Sequence, residues 1–227
     1  MILLQADEPL VRWDWIAGHL DDVATQLVEH LELTGLALGF GLLISVPLAV
    51  LAYRRRRFYA PITFVTGLLY TIPSLALFAI LVPFTGLSTL TAEIGLVGYT
   101  LLILIRNIVA GLSGVPADTK EAAIGMGYTQ RQLLWRVEVP LALPVIVAGI
   151  RLALVTTIGL VTVTALIGKG GLGAFILDGV RRFFPTEILL GAVLSVALAV
   201  LGDRALVGVQ RLLTPWARTA KVRAFGQ

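Results

Sequence analysis

Hydropathy decides the class of this chain before any motif does. Its apolar residues gather into blocks of about 20 or more, at 33–53, 60–84, 91–112, 144–167 and 186–210. Each is long enough for a helix to cross ~30 Å of hydrocarbon at ~1.5 Å per residue. Backbone groups in lipid must be satisfied within the segment, so the blocks read as helices. With 57% of residues hydrophobic and only 14% charged, a water-soluble fold is excluded. The expectation is an all-α polytopic membrane helical bundle of about five transmembrane helices plus an N-terminal amphipathic helix. A chain of 227 residues fills one such bundle and leaves no room for a soluble enzyme domain.

The division expected is an external or interfacial amphipathic segment at 1–32 and a transmembrane domain at 33–227. In the first, Asp7, Glu8, Asp14, Asp21, Asp22, Glu29 and Glu32 face one cation, Arg12. Trp13, Trp15, Ile16, Leu20, Val23 and Leu27 form an apolar stripe, which reads as a helix lying among lipid headgroups, anchored by the two tryptophans. No basic region precedes an apolar core in MILLQADEPL, so no cleavable signal peptide is expected. Gly35 and Gly39 form a GxxxG pair for close helix approach. Pro73 is expected to kink the second span, and the glycine-rich linker GKGGLGAFILDGVRRFFP to form a re-entrant or interfacial turn.

Against this background residues 116–144, PADTKEAAIGMGYTQRQLLWRVEVPLALP, form a polar interruption. Asp118 with Glu121, and Thr129 with Gln132, carry N-capping spacings. Gly127 lies where a turn is needed, and Pro140 and Pro144 limit the second piece. The pattern predicts helix, tight turn, helix over 118–140, each half too short to span a bilayer, so that the knob projects into water.

Lysines and arginines orient it. With the knob inside, Arg54, Arg55, Arg56, Arg57, Lys120, Arg131, Arg136, Arg211, Arg218, Lys221 and Arg223 lie inside, and Arg12, Lys169, Arg181 and Arg182 outside. Eleven against four is a positive-inside bias, which places the N-terminus outside and the C-terminus in the cytoplasm. The net charge of +4 follows from this topology. Four adjacent arginines without interleaved aromatics do not make a nucleic-acid site.

Glu121–Ala122–Ala123, three residues, Gly127, nine residues, then Val137–Glu138–Val139–Pro140 resembles the EAA motif of permease subunits of ATP-binding-cassette importers. Valines replace the usual Ile and Leu. TIPSLAL at 71–77, RNIVAGLSGVP at 106–116, LALPVIVAGIR at 141–151 and ALIGKGGLGAFILDGV at 165–180 are similar to the osmoprotectant subgroup, which takes glycine betaine, carnitine, choline or proline. Methionine and other small amino-acid permeases are the nearest competitors, and a non-transport membrane structural protein is a distant one. The resemblance implies a type I importer transmembrane domain in a bacterial inner membrane. Its coupling helices (Glu121, Ala122, Ala123, Gly127, Pro140) would dock on cytoplasmic ATP-binding subunits. Also implied are a second permease subunit, identical or paralogous, and an extracytoplasmic solute-binding protein. ATP and Mg would bind to the ATPase subunits, with no cofactor in this chain. Glu121 could instead only cap its own helix.

Enzymatic readings find little to stand on. Gly168, Gly170 and Gly173 match GxGxxG, but an apolar helix precedes them where a dinucleotide site needs a strand. They are expected to allow a tight reversal and close helix packing. No GxxxxGK[ST] occurs, so no ATP site of its own is expected. His19 and His30 are poorly spaced for a metal and read as solvated or interfacial. The absence of cysteine excludes thiol chemistry, and Ser45, Ser74 and Ser195 lack a nearby base in sequence.

Two charges inside spans, Arg151 and Asp203, fall at similar depth. An isolated charge there costs ~3 kcal/mol, so a structural ion pair is expected, with Arg106 the alternative partner for Asp203. Trp13, Trp15, Trp135 and Trp216 lie outside or at the ends of spans. An aromatic cage for a quaternary ammonium therefore belongs, on the resemblance, to the binding protein. No substrate-binding residue is legible.

Overall fold

The computed structural model describes residues 9–216. Asp7, Glu8, Arg218, Lys221 and Arg223 lie outside them. Four helices are long and apolar enough to cross a membrane, and a sharply bent pair makes a fifth if counted as one span. No strand occurs among the described residues.

The chain opens with α1 (Trp13–Gly18) and α2 (Leu20–Arg54). The helix α2 runs unbroken through residues 32 and 33, where a separate interfacial segment was expected to end. Its buried positions explain this: His30, Leu33, Thr34, Ala37, Gly41, Ser45, Ala49 and Ala52 form one stripe at helical spacing across that boundary. The N-terminal segment is also held by protein. Arg12 N donates to Thr186 Oγ1 at 3.1 Å, and Trp15 meets the edge of Phe184 at 5.4 Å. Of the two expected lipid anchors, Trp13 is exposed and Trp15 is packed.

His30 departs from the solvated or interfacial state expected of it. It is fully buried, with Nε2 3.1 Å from the Ile158 carbonyl. The close approach of helices also comes from a different glycine. A Cβ at Gly35 or Gly39 would meet nothing within 4 Å, whereas one at Gly41 would lie 2.2 Å from Thr100 Oγ1.

Past Arg54, α3 (Tyr59–Thr71) and α4 (Ser74–Thr85) meet at 94°. This is a break where a kink was expected. Ile72 and Pro73 are both extended (ψ 126° and 133°), because a proline forces its predecessor out of helical geometry. The central helix is α5 (Thr89–Ser113), started by Ser88, whose Oγ accepts from Thr91 N. It is the most buried of the long helices and packs against α2, α3, α4 and α8.

The knob follows. Its first piece, α6 (Ala117–Gly125), is not capped by Asp118 as expected. Pro116 is the N-cap, which leaves Asp118 in the first turn, where a negative charge suits the helix dipole. Gly127 reverses the chain at φ +85°, a conformation that glycine adopts without steric cost. Thr129 then opens α7 (Gln130–Leu133) with a complete capping box to Gln132. The second piece does not stop at Pro140. One helical run continues from Gln130 to Ile167: α7, a π turn at Leu134–Glu138, α8 (Val139–Val161) and a 3₁₀ turn at Thr162–Ile167. The ladder widens just ahead of Pro140, which falls in the first turn of α8, where a missing N–H costs least.

Beyond Gly168 the chain reverses into α9 (Gly173–Arg182) and then α10 (Pro185–Leu213). A Cβ at Gly173 would sit 2.3 Å from the Thr162 carbonyl, so this glycine serves close packing.

Candidate functional site

The knob lies at the end of the bundle that carries Arg54 to Arg57. Of its predicted docking residues, Glu121, Ala122 and Gly127 are exposed, and Pro140 is half-buried at the base of α8. Ala123 is buried and seats α6 on the bundle. Glu121 makes no hydrogen bond or ion pair among the described residues, and therefore caps nothing. Ile124 (50% exposed), Met126 (70%) and Trp135 (55%) add apolar surface on the same knob. An element with three large exposed apolar side chains has the character of a partner surface.

Three side chains missed at the level of sequence tie this knob to the helices above it. Lys120 Nζ donates to Tyr53 OH at 3.0 Å and to the Leu112 carbonyl at 3.3 Å. Tyr53 OH donates to Glu138 Oε1 at 2.5 Å. Lys120 Nζ stands 3.7 Å from the same carboxylate oxygen. Glu138 is buried, so its charge requires these partners. Lys120 lies in α6, Tyr53 at the end of α2, and Glu138 in the π turn leading into α8. A second tie runs from Arg54 Nη2 to the Gln130 carbonyl at 2.6 Å. Neighbouring positions to the EAA stretch (Lys120) and inside the closing VEVP (Glu138) were the available signal, but no spacing rule pairs residues in separate elements.

Farther along the spans, and half-buried, Arg151 on α8 grips Asp203 on α10 bidentately, Nε to Oδ1 at 2.7 Å and Nη2 to Oδ2 at 2.9 Å. Arg106 is not the partner of Asp203. No three His, Asp or Glu side chains among the described residues converge as a metal site.

A helical bundle with an exposed knob latched to its spans by buried charge suits a protein that receives force from outside the membrane. The family comparison bears on that directly: residues 41–219 match the binding-protein-dependent transport system inner membrane component. The chain belongs to this family. It is a multi-pass inner-membrane permease subunit of an ATP-binding-cassette transport system. The permease is 39% identical to the osmoprotectant import permease protein OsmW of Salmonella typhimurium, over 88% of this chain and 94% of that one. It is 38% identical to the carnitine transport permease protein OpuCB of Listeria monocytogenes, over 87% and 90%. It is 36% identical to the choline transport system permease protein OpuBB of Bacillus subtilis, over 82% and 86%. Among solved structures, the permease fold matches an inward-facing MetNI methionine ABC transporter with TM-score 0.79 at 24% identity, over 87% and 98% of the chains. An amino acid ABC transporter matches with TM-score 0.65 at 16% identity, over 90% and 98%. These last two likenesses establish the fold, a type I importer transmembrane domain.

Proposed function

We propose that this permease imports compatible solutes such as glycine betaine, choline, carnitine or proline, driven by ATP hydrolysed on another chain. One observation carries the substrate class: relatives named for osmoprotectant, carnitine and choline transport match at 36–39% identity over more than four-fifths of the chain. Methionine, the alternative, has only the fold in its favour.

In this reading the knob is the coupling element. Glu121, Ala122 and Gly127, with Ile124 and Met126, meet a groove on a cytoplasmic ATP-binding subunit that holds ATP and Mg. The Lys120–Tyr53–Glu138 set passes its motion to α2 and α8. Arg151–Asp203 holds α8 to α10 as a structural pair. A second permease subunit, identical or paralogous, completes the pathway, and an extracytoplasmic binding protein delivers solute. The knob end is cytoplasmic and the N-terminus external. Arg54 to Arg57, Lys120, Arg131 and Arg136 support this orientation by the positive-inside rule.

The test is uptake into liposomes holding the permease with its ATPase and binding-protein subunits. Labelled betaine, choline or carnitine is expected to accumulate with ATP. Accumulation of methionine with none of these solutes would overturn the substrate class.

A further inference from the structure

Three cavities join along one face of α3 and α5. The one nearest the knob, about 230 Å³, is walled by Tyr53, Arg56, Tyr59, Arg106 and Ser113. The next, about 740 Å³, shares Tyr59 and Arg106 with it and continues past Thr63 and Gly67 to Tyr70 and Thr71. The third, about 260 Å³, shares Tyr70 and Thr71 and ends at the α3–α4 break, among Pro73, Ser74, Tyr99 and Thr156. Together they form a groove from the arginine end to the middle of the bundle. Tyr99 lies ten residues from the start of α5 and fourteen from its end, near half its length.

The groove has polar features that a lipid-facing surface avoids. Arg106 is exposed on α5, seven residues or ~10 Å from Ser113. It makes no hydrogen bond or ion pair among the described residues. A guanidinium at that depth faces water or an anion. At the far end Tyr70 and Tyr99 meet edge to face with centroids 5.8 Å apart. The Tyr99 hydroxyl donates to the Ile72 carbonyl, which fixes its ring against the break, while Tyr70 is 39% exposed. The break brings opposite helix ends to one place. The carbonyl end of α3 is electronegative, and the N-terminus of α4, a helix of 12 residues starting at Ser74, is electropositive. Ring faces and carbonyl ends attract an ammonium, and helix N–H groups and a hydroxyl attract a carboxylate.

We infer that this groove is the permease's share of the solute path and that the break is a transient site for a zwitterionic quaternary ammonium. The ring of Tyr70, backed by Tyr99, and the end of α3 face the trimethylammonium group. Ser74 and the start of α4 face the carboxylate, and Arg106 draws that carboxylate on toward the knob end. The inference rests on the proposed substrate class and adds the residues that would recognise it. It also divides two solutes: choline has the ammonium group and no carboxylate.

Uptake of labelled glycine betaine and choline by the reconstituted complex tests it. Tyr70→Leu is expected to lower uptake of both about tenfold, and Tyr70→Phe to keep most of it. Ser74→Ala and Arg106→Gln are expected to lower betaine uptake severalfold and leave choline uptake within about twofold. The chain has no cysteine, so Thr71→Cys supplies its only thiol. A membrane-impermeant thiosulfonate bearing a trimethylammonium group is expected to label it, more slowly with betaine present, and not to label Val196→Cys on α10. Wild-type betaine uptake with an inert Thr71→Cys, or with uptake unchanged in Tyr70→Leu and Arg106→Gln, overturns the site and leaves the substrate class standing. Wild-type uptake of none of betaine, choline, carnitine and proline overturns the substrate class and the site with it.

Discussion

Lys120 and Glu138, eighteen positions apart, sit 3.7 Å from each other, with the Tyr53 hydroxyl bonded to both. The first lies on the knob and the second at the foot of α8, so the pair ties an exposed element to the long helices. Removing the lysine leaves a buried carboxylate without its cation.

Lys120→Met is expected to destabilise the permease by about 3 kcal/mol and to uncouple it, with ATP hydrolysis continuing while uptake falls. Glu138→Gln, which keeps a hydrogen-bonding oxygen for Tyr53, is expected to be milder. Thermal unfolding of the purified complex, together with solutes moved per ATP, measures both. An unchanged ratio in Lys120→Met would dismiss the link.

The Arg151–Asp203 pair is expected to hold α8 to α10. Arg151→Leu or Asp203→Leu alone should lower uptake and the unfolding temperature, since each leaves the other charge unpaired partway along a span. The exchange Arg151→Asp with Asp203→Arg should recover more than half of the lost uptake. A double variant no better than either single one counts against the pair.

At Gly41 the distance between α2 and α5 is set by the absence of a side chain, with Thr100 Oγ1 in the space a Cβ would occupy. Gly41→Val is expected to cost about 2 kcal/mol by overpacking. Thr100→Gly in the same protein should restore part of it. Gly35→Val, on an open face, should change stability by less than about 0.5 kcal/mol in the same unfolding measurement.

Contact with the ATP-binding subunit is expected from the exposed residues of the knob. Bifunctional crosslinkers at Ala122→Cys or Met126→Cys should capture it, and at Gly35→Cys should not. Ala123→Cys, buried against the bundle, should react poorly. Crosslinks from Gly35→Cys alone would place the interface elsewhere.

Long apolar blocks made most of the helices legible, because hydrocarbon permits few alternatives and block length sets span length. The ends were harder. The helix α2 passes the expected boundary at 32 because its buried stripe begins above the block, at His30, a polar residue that hydropathy counts against burial. Pro140 looked like a stop because sequence rules assume an α ladder, and a π turn changes which carbonyl is left over. Glu121, Ala122, Ala123 and Gly127 were legible as a motif since they are close in the chain. The Tyr53–Lys120–Glu138 set and the Tyr70–Tyr99 corner were not, since each joins elements whose registers are fixed only by packing.

From Gln130 to Ile167 there is no joint, only a change of pitch. Those 38 residues amount to about 55 Å of rod, pivoting on the glycine reversal at Gly127. A tilt of about 10° at the knob would sweep the distal tip, beside Gly168, through about 10 Å. Such leverage converts a modest push at the knob into a displacement as wide as the solute itself.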